Sequence, residues 1–421
     1  MTDKPEFLFT FLFALALLSE LAIRFWLAIR QTLHVAKHSH AVPPAFVSRI
    51  GLQAHQKAAN YTLAKNRFSL VEIAFGAAIL LGWTLLGGLD GLNRSLVTVM
   101  GHGIGQQLAL FFGFAMISAL LQLPLSLYHT FVIEQGFGFN KMTPKLWIQD
   151  QIKGALIALV IGLPLAALIL WVMSATGPWW WLWAWCIWTG FNLMLMFIYP
   201  SFIAPLFNRF QPLEDAEIKD RVNALMKRCG FSAKGLFVMD GSRRSAHANA
   251  YFTGFGSTKR VVFYDTLLAR LTPAEIDAVL AHELGHFKHR HIPKRMLSLF
   301  GMSLAALALL GWLSTRQWFY AGLGVNPNLS SPNDALALIL FMLTIPVFSF
   351  FISPVFASLS RRDEFEADNY AATQTDGREL ANALLKLIED NASTLTPDPL
   401  YVAFYYSHPP ASQRLARLTS A

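Results

Sequence analysis

Along most of this chain apolar residues do not alternate with polar ones; they run together. Seven stretches come near the ~20 apolar residues that a helix needs to cross a bilayer. They are residues 7–29, 69–88, 107–130, 154–175, 178–204, 296–314 and 335–358. Polar positions gather in two long segments, 206–295 and 359–421, and in the loops between the runs. Within 214–295 the pattern becomes that of a water-facing domain. EDAEIKDRVNALMKRCG carries apolar residues at helical spacing and stops at Gly230. GLFVMDG, ANAYFTGFG and KRVVFYD read as short strands punctuated by glycine. Thr272-Pro273-Ala274-Glu275 then offers an N-cap, a proline at the first helical position and a capping-box glutamate.

The expected architecture is an α-helical integral membrane protein of seven transmembrane helices with a cytoplasmic α+β domain. Five helices fall in 1–205, a helix–strands–helix segment in 206–295, two helices in 296–358 and a polar C-terminal segment in 359–421. Composition supports lipid as the main solvent. The 421 residues are 54% hydrophobic and 14% charged, against about 25% charged in a soluble protein. A net charge of +8 does not point to nucleic acid, because the basic residues sit beside the apolar runs. Lys37, Arg49, Lys57, Lys65 and Arg67 fill the loop 31–67, and Lys141, Lys145 and Lys153 follow the third run, whereas the alternate loops hold little beyond Arg94 and Arg316. By the positive-inside rule the N-terminus lies outside, and both polar segments lie in the cytoplasm. The first run lacks the basic start and cleavage site of a signal peptide and reads as a retained helix. Cys186 and Cys229 have no partner at metal-ligand spacing and are expected as free thiols. Glu20 and Arg24, four residues apart in the first span, are expected to pair.

Chemistry enters with AHELGHFKHRH at 281–291. His282 and His286 share one face of a helix, so both imidazoles can reach one ion. Glu283, about a third of a turn away, can serve as base toward a water instead. Lys288, His289, Arg290 and His291 continue no ligand pattern and read as a solvated helix end. The motif does not continue to a third histidine in the H-E-x-x-H-x-x-G-x-x-H manner, since position 292 is Ile. A hydrolytic zinc site needs a third protein ligand. SRRDEFEADNYA at 360–371 offers Glu364 as that ligand, with Asp368 one turn on to accept a hydrogen bond from a ligand histidine. Glu366 and Asp363 point elsewhere on such a helix, and Arg361 and Arg362 read as anchors at the membrane surface.

Taken with EQGFGFNKMT at 134–143, IYPSFIAPLFNRFQPL at 198–213, SRRSAHANAYFTGFG at 242–256 and YSHPPASQRL at 406–415, these motifs resemble the CAAX prenyl protease 1 family. The family's members are integral-membrane zinc metallopeptidases of the gluzincin type, and the resemblance covers nearly the whole chain. It implies one Zn²⁺ per chain and a peptide or protein substrate that is membrane-attached and carries a prenyl group. It implies that Ala248-Asn249-Ala250-Tyr251 forms the edge strand of the cleft, with Asn249 and Ala250 on the substrate backbone. His408 is implied as the cation or donor near the oxyanion, and Arg414 either orients that site or pairs with Asp368. A large membrane chamber is also implied, and Gln106, Gln107, Gln122 and Asn192 inside apolar runs are compatible with a wet interior. The chain's short loops and lack of a retention signal lean toward a bacterial inner membrane; in a eukaryote the endoplasmic reticulum membrane is expected. Quality control of membrane proteins without a prenyl requirement is the second enzymatic reading. An intramembrane protease would place the motif inside a span, unlike this capped helix, and a closed structural zinc site would have no use for Glu283.

Overall fold

The computed structural model describes residues 5–231, 235–253, 260–327 and 333–420. The glycine-rich end of the expected strand at 254–256 lies outside the described residues. Seven helices are long and apolar enough to cross a membrane: Pro5–Lys37, Leu52–Trp83, Ile104–Glu134, Pro144–Ala175, Gly177–Phe207, His291–Leu313 and Asp334–Gln374. Most exceed the apolar runs that announce them. The second begins at Leu52, so much of the basic stretch expected as loop is helical; Ala58, Ala59 and Tyr61 bury one face of it. A further helix, Gly88–Met100, fills a region that glycines at both ends disguise as loop; its Asp90 is buried and paired with Arg94.

The water-facing unit is built around a four-stranded sheet. Its strands are β1 (Phe210–Pro212), β2 (Gly235–Met239), β3 (Ala250–Thr253) and β4 (Arg260–Tyr264), in the order β1-β2-β4-β3. β2 and β4 are parallel, and the two outer pairings are antiparallel. β3 therefore sits at an edge, with Ala250 opposite Phe263 and Phe252 opposite Val261.

Helices pack against this sheet through Val222, Leu225, Ile276, Leu280, Leu284 and Leu380, all essentially buried. The first is Ala216–Arg228, started by Asp215, whose carboxylate accepts from the Ile218 amide. Pro273–Lys288 carries the histidine motif, and its capping box is present: Thr272 N–H donates to Glu275 Oε2, and Glu275 N–H to Thr272 Oγ1. The motif helix packs most extensively on Ser353–Gln374, which continues the seventh span out of the apolar region.

Within the bundle lies a cavity of about 900 Å³. The Glu20–Arg24 pair, joined at 2.7 Å, lines it with Glu72, Gln122, Tyr401 and Tyr405. Glu20 and Arg24 thus face an internal space. Gln106 and Gln107, by contrast, are buried knots at the start of the third span. Gln106 donates to Asn93, and Gln107 accepts from the Ala335 amide. Asn192 is turned back on its own helix, donating to the Trp188 carbonyl. The two cysteines are free thiols.

Candidate metal centre

The side chains singled out in HELGH and in the acidic helix converge because the two helices cross at their smallest residues. A Cβ on Gly285 would stand 2.9 Å from Ala367 Cα and 3.1 Å from its carbonyl oxygen. Only glycine permits that approach. The crossing point lies between His282 and His286 on one helix and between Glu364 and Asp368 on the other. His282 Nε2 faces Glu364 Oε2 at 3.5 Å, and His286 Nε2 faces Glu364 Oε1 at 3.4 Å. The three side chains form a group whose ligand atoms all lie within 4.8 Å of one another.

Two observations test whether a metal ion fits. Ligand atoms about 2.1 Å from a tetrahedral ion stand about 3.4 Å apart, which is the spacing found here. Glu364 Oε2 is buried without a hydrogen bond, with only the more distant His282 Nε2 at 3.5 Å and Arg414 Nη1 at 3.8 Å beside it, a setting that a cation at ligand distance would complete. The residues fit the group.

The surroundings hold the histidines in place. His282 Nδ1 lies 2.9 Å from Asp368 Oδ1. Asp368 is clamped by both arms of Arg414, at 2.8 and 2.6 Å. Arg414 pairs with Asp368, one of the two roles expected for it, and also lies 3.5 Å from His282 Nδ1 and 3.8 Å from Glu364 Oε2; Asp368 and Arg414 are both buried. Burial alone would push the His282 imidazole down, but Asp368 and Glu364 outweigh it and hold the metal-free ring at about 9. Burial raises the Glu283 carboxyl above the ordinary glutamate range, against the pull of His282 and His286. Arg414, hard against two carboxylates, is raised despite its burial.

His408 reaches the same point from the C-terminal loop, its Nε2 3.4 Å from Glu364 Oε1 and its Nδ1 2.9 Å from Ser407 Oγ. Partial desolvation, with Arg414 and the other histidines nearby, lowers its pKa despite Glu364, although the side chain is still 65% exposed. Its loop is tied down by Arg361, which donates to the carbonyls of Val402 and Tyr406 at 3.0 and 2.8 Å. Arg361, read from the sequence as a membrane-surface anchor, also ties down this loop.

Asn249 is exposed, just before β3. Its Oδ1 accepts from the Ala250 amide, and its carbonyl accepts from the Tyr264 amide. The segment leading into β3 is fixed by the loop after the third span. Lys141 N–H donates to the Arg244 carbonyl, and Ala246 N–H to the Phe139 carbonyl. Phe139 stacks on His247 at 4.4 Å. Glu134 accepts from Tyr61 at 2.5 Å and faces His247 Nε2 at 3.5 Å. Glu134 and His247 lie in two of the blocks quoted above, but nothing local in the sequence marks their junction with Tyr61.

One expectation fails outright. His291 is not part of a solvated helix end: it is buried, with Nδ1 2.9 Å from His286 Nδ1. The motif helix stops at Lys288, and Arg290 takes a left-handed conformation at φ 57°. That reversal brings the next helix's first residue back onto the site. Lys288 and Arg290 are exposed, as their charge requires. Asp363 and Glu366 do turn away from Glu364, and it is His291 that they face, at 3.6 and 3.2 Å.

Two histidines and a glutamate on one metal-sized point, with a half-buried glutamate alongside and a seven-helix membrane bundle beneath, are the equipment of a membrane metallopeptidase. Comparison with known proteins gives the same class. Residues 31–209 match the family described as CAAX prenyl protease N-terminal, five membrane helices, and residues 212–421 match peptidase family M48. The chain is 36% identical to the CAAX prenyl protease 1 homolog of Arabidopsis thaliana, over 89% of each chain. It is 34% identical to CAAX prenyl protease 1 of Saccharomyces cerevisiae, over 90% of this chain and 88% of that one. The crystal structure of S. mikatae Ste24p superposes with a TM-score of 0.90 at 31% identity, covering 97% of this chain and 99% of the other. The chain belongs to the CAAX prenyl protease 1 family and is a multi-pass membrane metalloendopeptidase.

Proposed function

We propose that this enzyme uses one zinc ion, held by His282, His286 and Glu364, to cleave peptide bonds near the C-terminus of membrane-attached substrates of the CAAX type. The observation that carries the reading is the convergence of those three side chains on one point, with their ligand atoms all within 4.8 Å of one another. Nitrogen and carboxylate donors in a three-ligand set favour zinc in a catalytic role. The names of the relatives support the substrate class, and the prenyl group follows from the same likeness.

When bound, zinc supplies a Lewis acid and brings the acidity of water near neutral pH. Glu283, its carboxyl raised by burial, takes the proton of the attacking water and returns it to the leaving amine. Asp368, fixed by Arg414, keeps the His282 proton on Nδ1 and leaves Nε2 free to donate its lone pair. His408 presents its Nε2–H toward the carbonyl oxygen as negative charge develops there. Asn249 and the edge of β3 take the substrate backbone as an added strand, which aligns one peptide bond with Glu283. The loop charges support a cytoplasmic position for this face of the bundle.

The test is purified protein in detergent with two peptides ending in a CAAX sequence, identical but for a farnesyl group, for wild type and Glu283→Gln. Chelator-sensitive cleavage at the CAAX cysteine by wild type, with zinc retained and cleavage lost in Glu283→Gln, is the expected result. Cleavage that survives both the chelator and the substitution would overturn the mechanism; equal rates on both peptides would remove the prenyl requirement.

A further inference from the structure

The two ligand histidines use their outward nitrogens differently. His282 has Asp368 behind it, and Asp368 has Arg414. Behind His286 Nδ1 no carboxylate stands directly; the atom at 2.9 Å is His291 Nδ1. Two facing imidazole nitrogens at that distance share one proton, one donating and the other accepting. Nε2 of His286 looks toward Glu364 and must keep its lone pair for the ion, so His286 carries its proton on Nδ1 and donates it. His291 must then accept at Nδ1 and hold its own proton on Nε2. That nitrogen lies 3.2 Å from Glu366 Oε2 and 3.6 Å from Asp363 Oδ1. Arg362 Nε in turn donates to Glu366 Oε1 at 3.2 Å. The order is thus ligand histidine, His291, Glu366, Arg362, a longer counterpart of His282, Asp368, Arg414.

We infer that His291 is the positioning residue of the second ligand histidine: it fixes the His286 tautomer and ring plane and relays the charge of Glu366 to it. Three further facts agree. His291 is 5% exposed, so its nitrogens cannot be satisfied by bulk water. Its position is secured by a non-glycine residue in the left-handed region, Arg290, a conformation that carries a cost and clusters at functional sites. Both of its ring nitrogens have partners at hydrogen-bond distance, which accounts for the whole ring. His291, Asp363 and Glu366 also lie close enough together to suggest a second metal site. The relay is the better account, because His291, accepting from His286 at Nδ1, holds its proton on the Nε2 that faces the two carboxylates and has no lone pair there for an ion.

This inference rests on the zinc reading above, and the experiment separates the two. Full-length protein in detergent is stripped of metal, and its zinc affinity and stoichiometry are measured by competition with a chromophoric chelator. Wild type, His291→Phe and His291→Asn are compared, the last offering a side-chain oxygen to accept from His286. Losing a partner of this kind costs about 10–100-fold in metal affinity. We expect one zinc per wild-type chain, a loss in that range for His291→Phe, and recovery of most of it in His291→Asn. Thermal unfolding of the metal-free proteins controls for a folding defect; should His291→Phe fail to fold, Glu366→Leu replaces it, with a smaller loss expected. Wild type that binds no zinc sinks the metal reading itself. Equal affinity in wild type and His291→Phe sinks only the relay. Two zinc ions in wild type, one of them lost in His291→Phe, would make this cluster a second metal site instead.

Discussion

Gly285→Ala puts one methyl group between the helices that carry the metal-facing side chains. That carbon would lie 2.9 Å from Ala367 Cα, 3.1 Å from its oxygen and 3.2 Å from its Cβ. Carbon atoms rest at about 3.5–4.0 Å, so the closest contact must open by roughly 0.6 Å. The obstacle is backbone inside a helix, so no side chain can rotate away to make room; one helix must shift as a body. Metal–ligand distances tolerate only about 0.2 Å, so His282, His286 and Glu364 cannot all keep their places. Stability reports the change poorly: alanine improves the helix by about 1 kcal/mol while overpacking costs about 1–3 kcal/mol, and the two nearly cancel at the low end. Metal affinity carries the signal. We expect zinc to bind at least ~10-fold more weakly, about 1.4 kcal/mol, measured by chelator competition on purified protein. Gly301→Ala is the control, since a Cβ there meets nothing within 4 Å. If Gly285→Ala holds zinc as tightly as wild type, the crossing point does not set the ligand geometry.

Arg414→Leu strands the buried Asp368 carboxylate, a change of about 3–5 kcal/mol. The unfolding midpoint should fall clearly, and adding Asp368→Asn should recover part of the loss; an unchanged melt refutes the pairing. In the metal-free protein His282 is raised to about 9, so near pH 7.5 it is protonated and zinc must displace that proton. This group alone therefore strengthens zinc binding about tenfold per unit of rising pH below that value, levelling off above it. Calorimetry in buffers of different ionisation enthalpy should show the released proton, and an affinity flat with pH would contradict the His282–Asp368 arrangement. Arg361→Ala frees the His408 loop from two hydrogen bonds. Misplacement of a catalytic donor by about 1 Å costs up to ~100-fold, so kcat should drop by ten- to a hundredfold with zinc content unchanged; a normal kcat would mean the loop holds itself.

The residues legible in the sequence are those whose partners lie one helical turn away. His282 and His286, and Glu364 and Asp368, announce themselves by spacing, and the capping box at Thr272 announces the helix that carries the first pair. His291 was illegible because its partner lies across a helix break. Its meaning depends on Lys288 ending one helix and on Arg290 reversing the chain, and neither follows from composition in a basic run. Arg361 was half legible for a related reason: its place beside a membrane span suggests an anchor, and its bonds to the Val402–Tyr406 loop exist only once the chain is folded. The long second span hid in a polar stretch, because Ala58 and Tyr61 bury one face while the lysines stay wet. Longer-range junctions such as Tyr61–Glu134–His247 join three separate segments and leave no periodic trace.

The place where Gly285 meets Ala367 also has a mechanical meaning. Metal chemistry tolerates almost no displacement of the groups that hold the ion, whatever the span beyond them does. From Ala367 to Ser353 the helix spans about 21 Å, and from Ala367 to Glu364 about 4.5 Å. A tilt about the crossing that carries the Ser353 end through about 1 Å therefore moves Glu364 by only about 0.2 Å, within what a metal site accepts. The ligands sit at the fulcrum, where the lever arm is shortest. A tilt of the span about this crossing leaves its carboxylate end almost where it was.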